Sequence, residues 1–184
     1  MVGNRTWALL AVFGATTIYA LNHTIAKDVM PTYVQGFGFV MIRLLGATAL
    51  FWLIGLFIPK KPIESKDFLR LIICAFFGMG INMLTFFKGL EYSTPINSAV
   101  IITTTPILVF IFSAFLLKEQ LTKPRIIGVL VGFLGALLLV IYNGQLHDRA
   151  PNIPLGNMLF VVNAGSLALY LVFVRSLSQK YHPI

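Results

Sequence analysis

The placement of charge constrains this chain more than any single residue does. Lys, Arg, Asp and Glu are absent or nearly absent from six stretches, near Trp7–Lys27, Val34–Ile58, Phe68–Leu90, Asn97–Leu117, Pro124–Tyr142 and Leu155–Leu177. An apolar helix needs about 20 residues to cross the roughly 30 Å hydrocarbon core of a bilayer, and each stretch has about that length. The pattern predicts an all-α, polytopic membrane helix bundle. A composition that is 58% hydrophobic, with mean hydropathy +0.87, lies outside that of soluble domains. Six such helices leave no room for a soluble domain. A strand-built pore is excluded by pattern, because its ~10-residue segments alternate polar and apolar faces.

The net charge of +8 invites a nucleic-acid reading, but its distribution argues for a topology signal instead. With the N-terminus in the cytoplasm, Arg5, Lys60, Lys61, Lys66, Arg70, Lys118, Lys123, Arg125, Arg175 and Lys180 all fall inside. Only Lys27 and Arg149 fall outside, with Arg43 and Lys88 within spans. Such asymmetry fixes an N-in topology, and the partner of the basic loops is the lipid bilayer, not nucleic acid. The lone cysteine, Cys74, cannot form an internal disulfide. The first stretch lacks a small-residue cleavage site and reads as a retained helix.

Prolines and glycines punctuate the spans. Pro31, Pro59, Pro62, Pro95, Pro124, Pro151, Pro154 and Pro183 fall in loops or at helix starts, where a missing N–H costs little. Pro106 alone sits inside a span. It frees a carbonyl one turn earlier, and Thr103, Thr104 and Thr105 supply hydroxyls beside it. Broken backbone persists in a membrane only where protein or a wet cavity satisfies it, so the fourth span is the candidate kinked, pathway-lining helix. A kink without a ligand is the plainer alternative. Gly128, Gly132 and Gly135 in the fifth span give small-residue spacing for close helix packing, either within the chain or in a homodimer.

Polar residues within the spans gather on faces. Thr16, Tyr19 and His23 fall at i, i+3 and i+7, with Asn22 beside them. Gly78, Asn82, Thr85 and Gly89 form a stripe that continues to Tyr92. Ser98 and Thr105 lie seven apart, flanked by Asn97 and Thr104, and Asn163, Ser166 and Tyr170 repeat the spacing in the sixth span. Side chains so spaced share one helix face. Any one stripe is explained by interhelical hydrogen bonds, worth about 0.6 kcal/mol each; four together suggest a shared aqueous cavity. Its candidate lining is Tyr19, Asn22, His23, Asn82, Thr104, Thr105, Ser166 and Tyr170. Arg43, deep in the second span, and Lys88, which can snorkel from the third, are candidate anion contacts or structural cations. All six carboxylates lie in loops or at helix ends, so no intramembrane proton relay is evident.

The sixth span resembles the first. A shift of 147 aligns Thr16/Tyr19/His23 with Asn163/Ser166/Tyr170, whereas 148 aligns Ala20 with Ala168 and Lys27 with Arg175. Five helices followed by a copy of the first is the pattern of an inverted repeat. The expected organisation is a first repeat at 1–144 and the start of a second, cut short, at 145–184.

Several motifs carry a family resemblance across nearly the whole chain. They are Gly89-Leu90-Glu91-Tyr92-Ser93, Asn97-Ser98-Ala99, the helix-4 Pro106, Lys118-Glu119-Gln120-Leu121 and Gly128. Arg43, Gly156-Asn157, Ala168 and Arg175 are weaker matches. In these the chain resembles the EamA-type branch of the drug/metabolite transporter superfamily, with Pro106 and Glu119 as its helix-4 and helix-4/5 signature. Gln120 stands where Arg is frequent, and Tyr19-Ala20 replaces the frequent Trp-Gly. The resemblance implies a ten-helix carrier of two inverted repeats in a plasma membrane, the inner membrane of a bacterium. Its central cavity would lie among helices one, three and four and their counterparts. Such carriers export amino acids, metabolites or drugs by alternating access.

Three function classes are open to such a chain. A secondary transporter takes a small-molecule solute and needs no cofactor. A sugar-phosphate or nucleotide-sugar carrier of the same superfamily is a variant of it. An intramembrane enzyme would need a nucleophile–base pair, metal ligands or paired acids; His23, His147 and His182 are scattered, and no catalytic or metal constellation is legible. A non-transporting scaffold or assembly subunit would use its polar residues for packing only.

Overall fold

The computed structural model describes residues 2–30, 32–57, 63–118, 123–143 and 150–181, with backbone alone at 2–5, 23, 123, 125, 136–137 and 139–143. The described residues are 88% helical, an all-α bundle. The helices are α1 (Val2–Val29), α2 (Gly36–Gly55), α3 (Ser65–Ala75), α4 (Asn82–Tyr92), α5 (Pro95–Ile102), α6 (Thr105–Leu117), α7 (Lys123–Asn143) and α8 (Ile153–Lys180), with a π-helical stretch at Phe76–Ile81 joining α3 to α4. Among the described residues five runs are long and apolar enough to cross a membrane: Thr6–Val29, Gly36–Gly55, Ser65–Tyr92, Pro95–Leu117 and Ile153–Lys180. The expected fifth span coincides with α7, whose 21 residues measure about 31 Å at 1.5 Å per residue. Its described apolar stretch is Ile126–Gly135.

Local chemistry starts the helices where the prolines suggest. Thr94 caps α5, its Oγ1 accepting from the Asn97 N–H at 3.2 Å, and Pro95 follows at the first helical position. Asn152 caps α8 through Leu155 N–H at 3.1 Å, with Pro154 in the first turn. Each cap satisfies one of the orphan amides of a helix start. The π-helical stretch was not expected from the sequence. It falls on Phe76-Phe77-Gly78-Met79-Gly80-Ile81, where two glycines weaken the α-helical preference.

Side-chain contacts orient the bundle. The end of α1 meets the end of α4, because Lys27 Nζ donates to the carbonyls of Leu90 and Ser93 at 2.5 and 2.8 Å. The start of α8 meets that same end, with Asn152 N–H donating to Tyr92 O at 3.2 Å. Thus α8 runs antiparallel to α1 and α4. At the opposite end Lys180 Nζ reaches Asp67 Oδ2 at 2.6 Å, closing the last turn of α8 on the first turn of α3. Positive charge at a helix C-terminus and negative charge at an N-terminus also suit the helix dipoles.

The core sits toward the Glu91 end and is built on α4. Phe86, Phe87 and Leu90 pack with Ala26, Met30, Val40, Ile101 and Phe160. Phe87 meets Phe39 and Phe86 at 4.9 Å between ring centroids, in tilted and edge-on geometries that suit aromatic quadrupoles. Close approach of α4 to α8 requires Gly89 and Gly156. A Cβ on Gly156 would lie 2.4 Å from Ser93 Cβ and 2.8 Å from Ser93 N, and one on Gly89 would lie 2.9 Å from the Phe160 ring.

Candidate functional site

The fourth span is broken where Pro106 predicts. α5 ends at Ile102, Thr103 and Thr104 form a turn, and α6 begins at Thr105 with Pro106 in its first turn. Pro106 has no N–H for the carbonyl of Ile102. Two of the three threonines mend the break locally: Thr103 Oγ1 donates to Val100 O and Thr104 Oγ1 to Ile101 O, each at 2.6 Å. The third does not. Thr105 is buried, and its hydroxyl has no hydrogen-bond partner among the described residues. An unmade buried hydrogen bond costs about 1–3 kcal/mol.

Arg43 reaches across to α1, donating from Nη1 to Asn22 Oδ1. Its guanidinium carbon also lies 5.3 Å from the Phe87 ring centroid and 5.9 Å from that of Phe39. An amide oxygen and two ring faces hold the group without neutralising it. Tyr19, one turn before Asn22, is half exposed and close enough to Arg43 for electrostatic interaction. The side chain of His23 lies outside the described residues. Tyr19, Asn22 and Arg43 therefore cluster on the α1–α2 side.

Asn82, Ser166 and Tyr170 lie elsewhere, in the seam between the third span and α8. Asn82 Nδ2 donates to Asn163 O at 3.3 Å and Asn163 Nδ2 to Asn82 O at 2.8 Å. Ser166 Oγ donates to Phe77 O at 2.6 Å, a carbonyl of the π-helical stretch. The Tyr170 ring occupies the space beside Gly78, where a Cβ would lie 2.5 Å from it. These stripes face each other directly. The hydrogen bonding is continued toward the end of the seam by Ser93 Oγ, which donates to Asn157 Oδ1 at 2.8 Å, and by Asn97 Nδ2, 3.2 Å from both.

Lys88 is engaged by Glu91, Nζ to Oε2 at 2.6 Å, and lies over the Phe37 and Tyr92 rings at 5.3 and 5.2 Å. The other oxygen of Glu91 accepts the Gly36 N–H at the start of α2. Glu91 is at a helix end, as expected, yet it is buried there. With Lys27 on the adjacent α4 carbonyls, it joins α1, α2 and α4 at one end of the bundle. The sequence signal for this lock was the i, i+3 spacing of Lys88 and Glu91.

Gly128, Gly132 and Gly135 are exposed, and a Cβ at any of them would meet nothing within 4 Å. Glu119 lies outside the described residues. Among the described residues no group of three His, Cys, Asp or Glu side chains could hold a metal.

The model of the EamA-like transporter family matches residues 6–141. An uncharacterized transporter of Archaeoglobus fulgidus is 28% identical over 180 residues, covering 98% of this chain and 61% of that protein. The uncharacterized transporter YetK of Bacillus subtilis is 29% identical over 116 residues, covering 63% and 35%. A WAT1-related protein of Arabidopsis thaliana is 32% identical over 124 residues, covering 60% and 35%. The chain thus spans between 35% and 61% of the length of these relatives. No solved structure matches it.

Proposed function

The chain belongs to the EamA-like transporter family, and from that premise we propose that the protein is a secondary transporter exporting small metabolites or amino acids by alternating access. The observation that carries the reading is the broken fourth span with its buried, unpartnered Thr105 hydroxyl. Discontinuous helices with unsatisfied polar groups are how carriers make solute sites near the membrane midplane. Thr104 and Thr105 hydrogen-bond the solute, Tyr19, Asn22 and His23 line the α1 side, and Arg43 attracts an anionic group such as a carboxylate. Asn82, Ser166 and Tyr170 close the α4–α8 seam in this arrangement and exchange those bonds for solute when α8 moves. Lys88 serves the Glu91 lock. The protein sits in a bacterial inner membrane, N-terminus in the cytoplasm.

Efflux of amino acids and metabolites from loaded proteoliposomes made with the full-length protein tests the reading. Saturable efflux that Thr105→Val weakens is the expected result, and no flux across a broad panel overturns it. The same seam favours a second reading, a non-transporting scaffold subunit, since Asn82, Asn163 and Ser166 already satisfy one another's helices. Cysteines placed at Asn82 and Ser166 distinguish the two: the carrier exposes them to aqueous thiol reagents in one conformation, and the scaffold never does.

A further inference from the structure

At the Asp67 end of the bundle an open groove of about 510 Å³ runs between α3 and α8, lined by Lys66, Asp67, Leu69, Arg70, Ile73 and Phe173. The α3 residues 66, 69, 70 and 73 share one helix face. Charge is layered along it. Lys66 and Arg70 lie in the first two turns of the span that begins at Ser65, and Leu69, Ile73 and Phe173 supply an apolar wall. Leu69 is 67% exposed, an apolar side chain with nothing over it.

The charge balance at this end is positive: Lys66, Arg70, Arg175 and Lys180 outnumber Glu64 and Asp67. The one carboxylate in the groove is already occupied, since Asp67 Oδ2 accepts from Lys180 Nζ at 2.6 Å and Tyr181 OH at 2.8 Å. Lys66 pairs with Glu64 at 2.7 Å, an exposed ion pair of the weakly held kind. Arg70 gives one N–H to Ser176 Oγ at 2.8 Å, and a guanidinium has five to give.

We infer that this groove is a binding site for an anionic phospholipid, with the headgroup phosphate on Lys66 and Arg70 and an acyl chain along Leu69, Ile73 and Phe173. A cationic rim above an apolar wall, at the end of a membrane span, matches the order of phosphate and hydrocarbon in a lipid. Basic pockets between transmembrane helices select anionic headgroups by this chemistry. The site does not depend on the carrier reading, because its occupancy is measured without transport.

The test is native mass spectrometry of the purified chain released from nanodiscs of equal phosphatidylcholine and phosphatidylglycerol. Phosphatidylglycerol is expected to be retained preferentially. Lys66→Gln and Arg70→Gln should each lower that preference by about fivefold, and K66R with R70K should keep it. Leu69→Ser should reduce retention of the lipid without altering charge. Equal retention of both lipids, or undiminished preference in the K66Q/R70Q variant at unchanged helix content, overturns the site. So does full displacement by soluble glycerol phosphate, which would show an anion site with no role for the apolar wall.

Discussion

Helices α1 and α8 are each 28 residues long, carry similar polar stripes and run in opposite directions, yet the bundle treats them differently. None of the most apolar window of α1 is buried, against 33% of that of α8. α1 touches the rest of the protein mainly through its last turns, where Ala26, Lys27 and Met30 meet α4. α8 is packed from Gly156 through Leu177, with Phe160, Asn163, Ala164, Ser166 and Ala168 all buried. Hydropathy places both in a membrane. Small and polar residues opposite complementary backbone decide which one is enclosed by protein.

Glycine substitutions give the sharpest break in that comparison. Gly156→Ala should destabilise the protein by about 1–3 kcal/mol, because the new methyl meets Ser93 and the Gly89 carbonyl, which cannot step aside. Gly14→Ala on α1 meets nothing within 4 Å and should be neutral or stabilising by up to about 1 kcal/mol. Thermal or SDS unfolding reads both, and equal effects would end the distinction. Asn163→Ala should follow, at about 0.6–1.7 kcal/mol for the lost bond to Asn82 O.

A smaller effect is expected at the α1 attachment. Lys27→Met removes the cation from the α4 carboxyl end, worth about 0.3–1 kcal/mol. Hydrogen exchange should rise in the last turns of α1 and stay unchanged in α8; a matching rise in α8 would mean that the two helices are held as one unit. The smallest effect concerns pH at the far end of α8. Hydrogen bonds from Lys180, and secondarily from Lys66, hold the Glu64 carboxyl below its ordinary value of 4.5. A depressed carboxylate stabilises the fold above its unfolded pKa and loses that contribution as pH falls through the folded value. The melting midpoint should therefore drop on acidification below about pH 4.5, and Glu64→Gln should remove that component of the drop.

The legible part of this fold is the part set by one-dimensional pattern. Span positions, the prolines at the starts of α5 and α8, and the interruption at Pro106 were all readable. Pairing was not. The Asn82 and Ser166 stripes were visible as faces, but periodicity cannot say whether a polar face meets water or another helix. The π-helical stretch, which presents the Phe77 carbonyl to Ser166, left only a glycine-rich trace. Glu91 was legible as a helix-end carboxylate but not as a buried one, because its burial depends on Lys88, Lys27 and the start of α2 arriving together.

Sequence by itself determined that this chain is a bundle of membrane-spanning helices, because bilayer thickness and backbone hydrogen bonding leave apolar stretches of this length one solution; the EamA resemblance came from its motifs alone. Only the tertiary structure decided which helix is enclosed, which polar groups are satisfied, and that Thr105 is left without a partner among the described residues. Lipid and protein interiors are equally apolar, so the hydrophobic effect does not choose neighbours within the membrane. Close fit at Gly78, Gly89 and Gly156, and hydrogen bonds between particular atoms, make that choice instead.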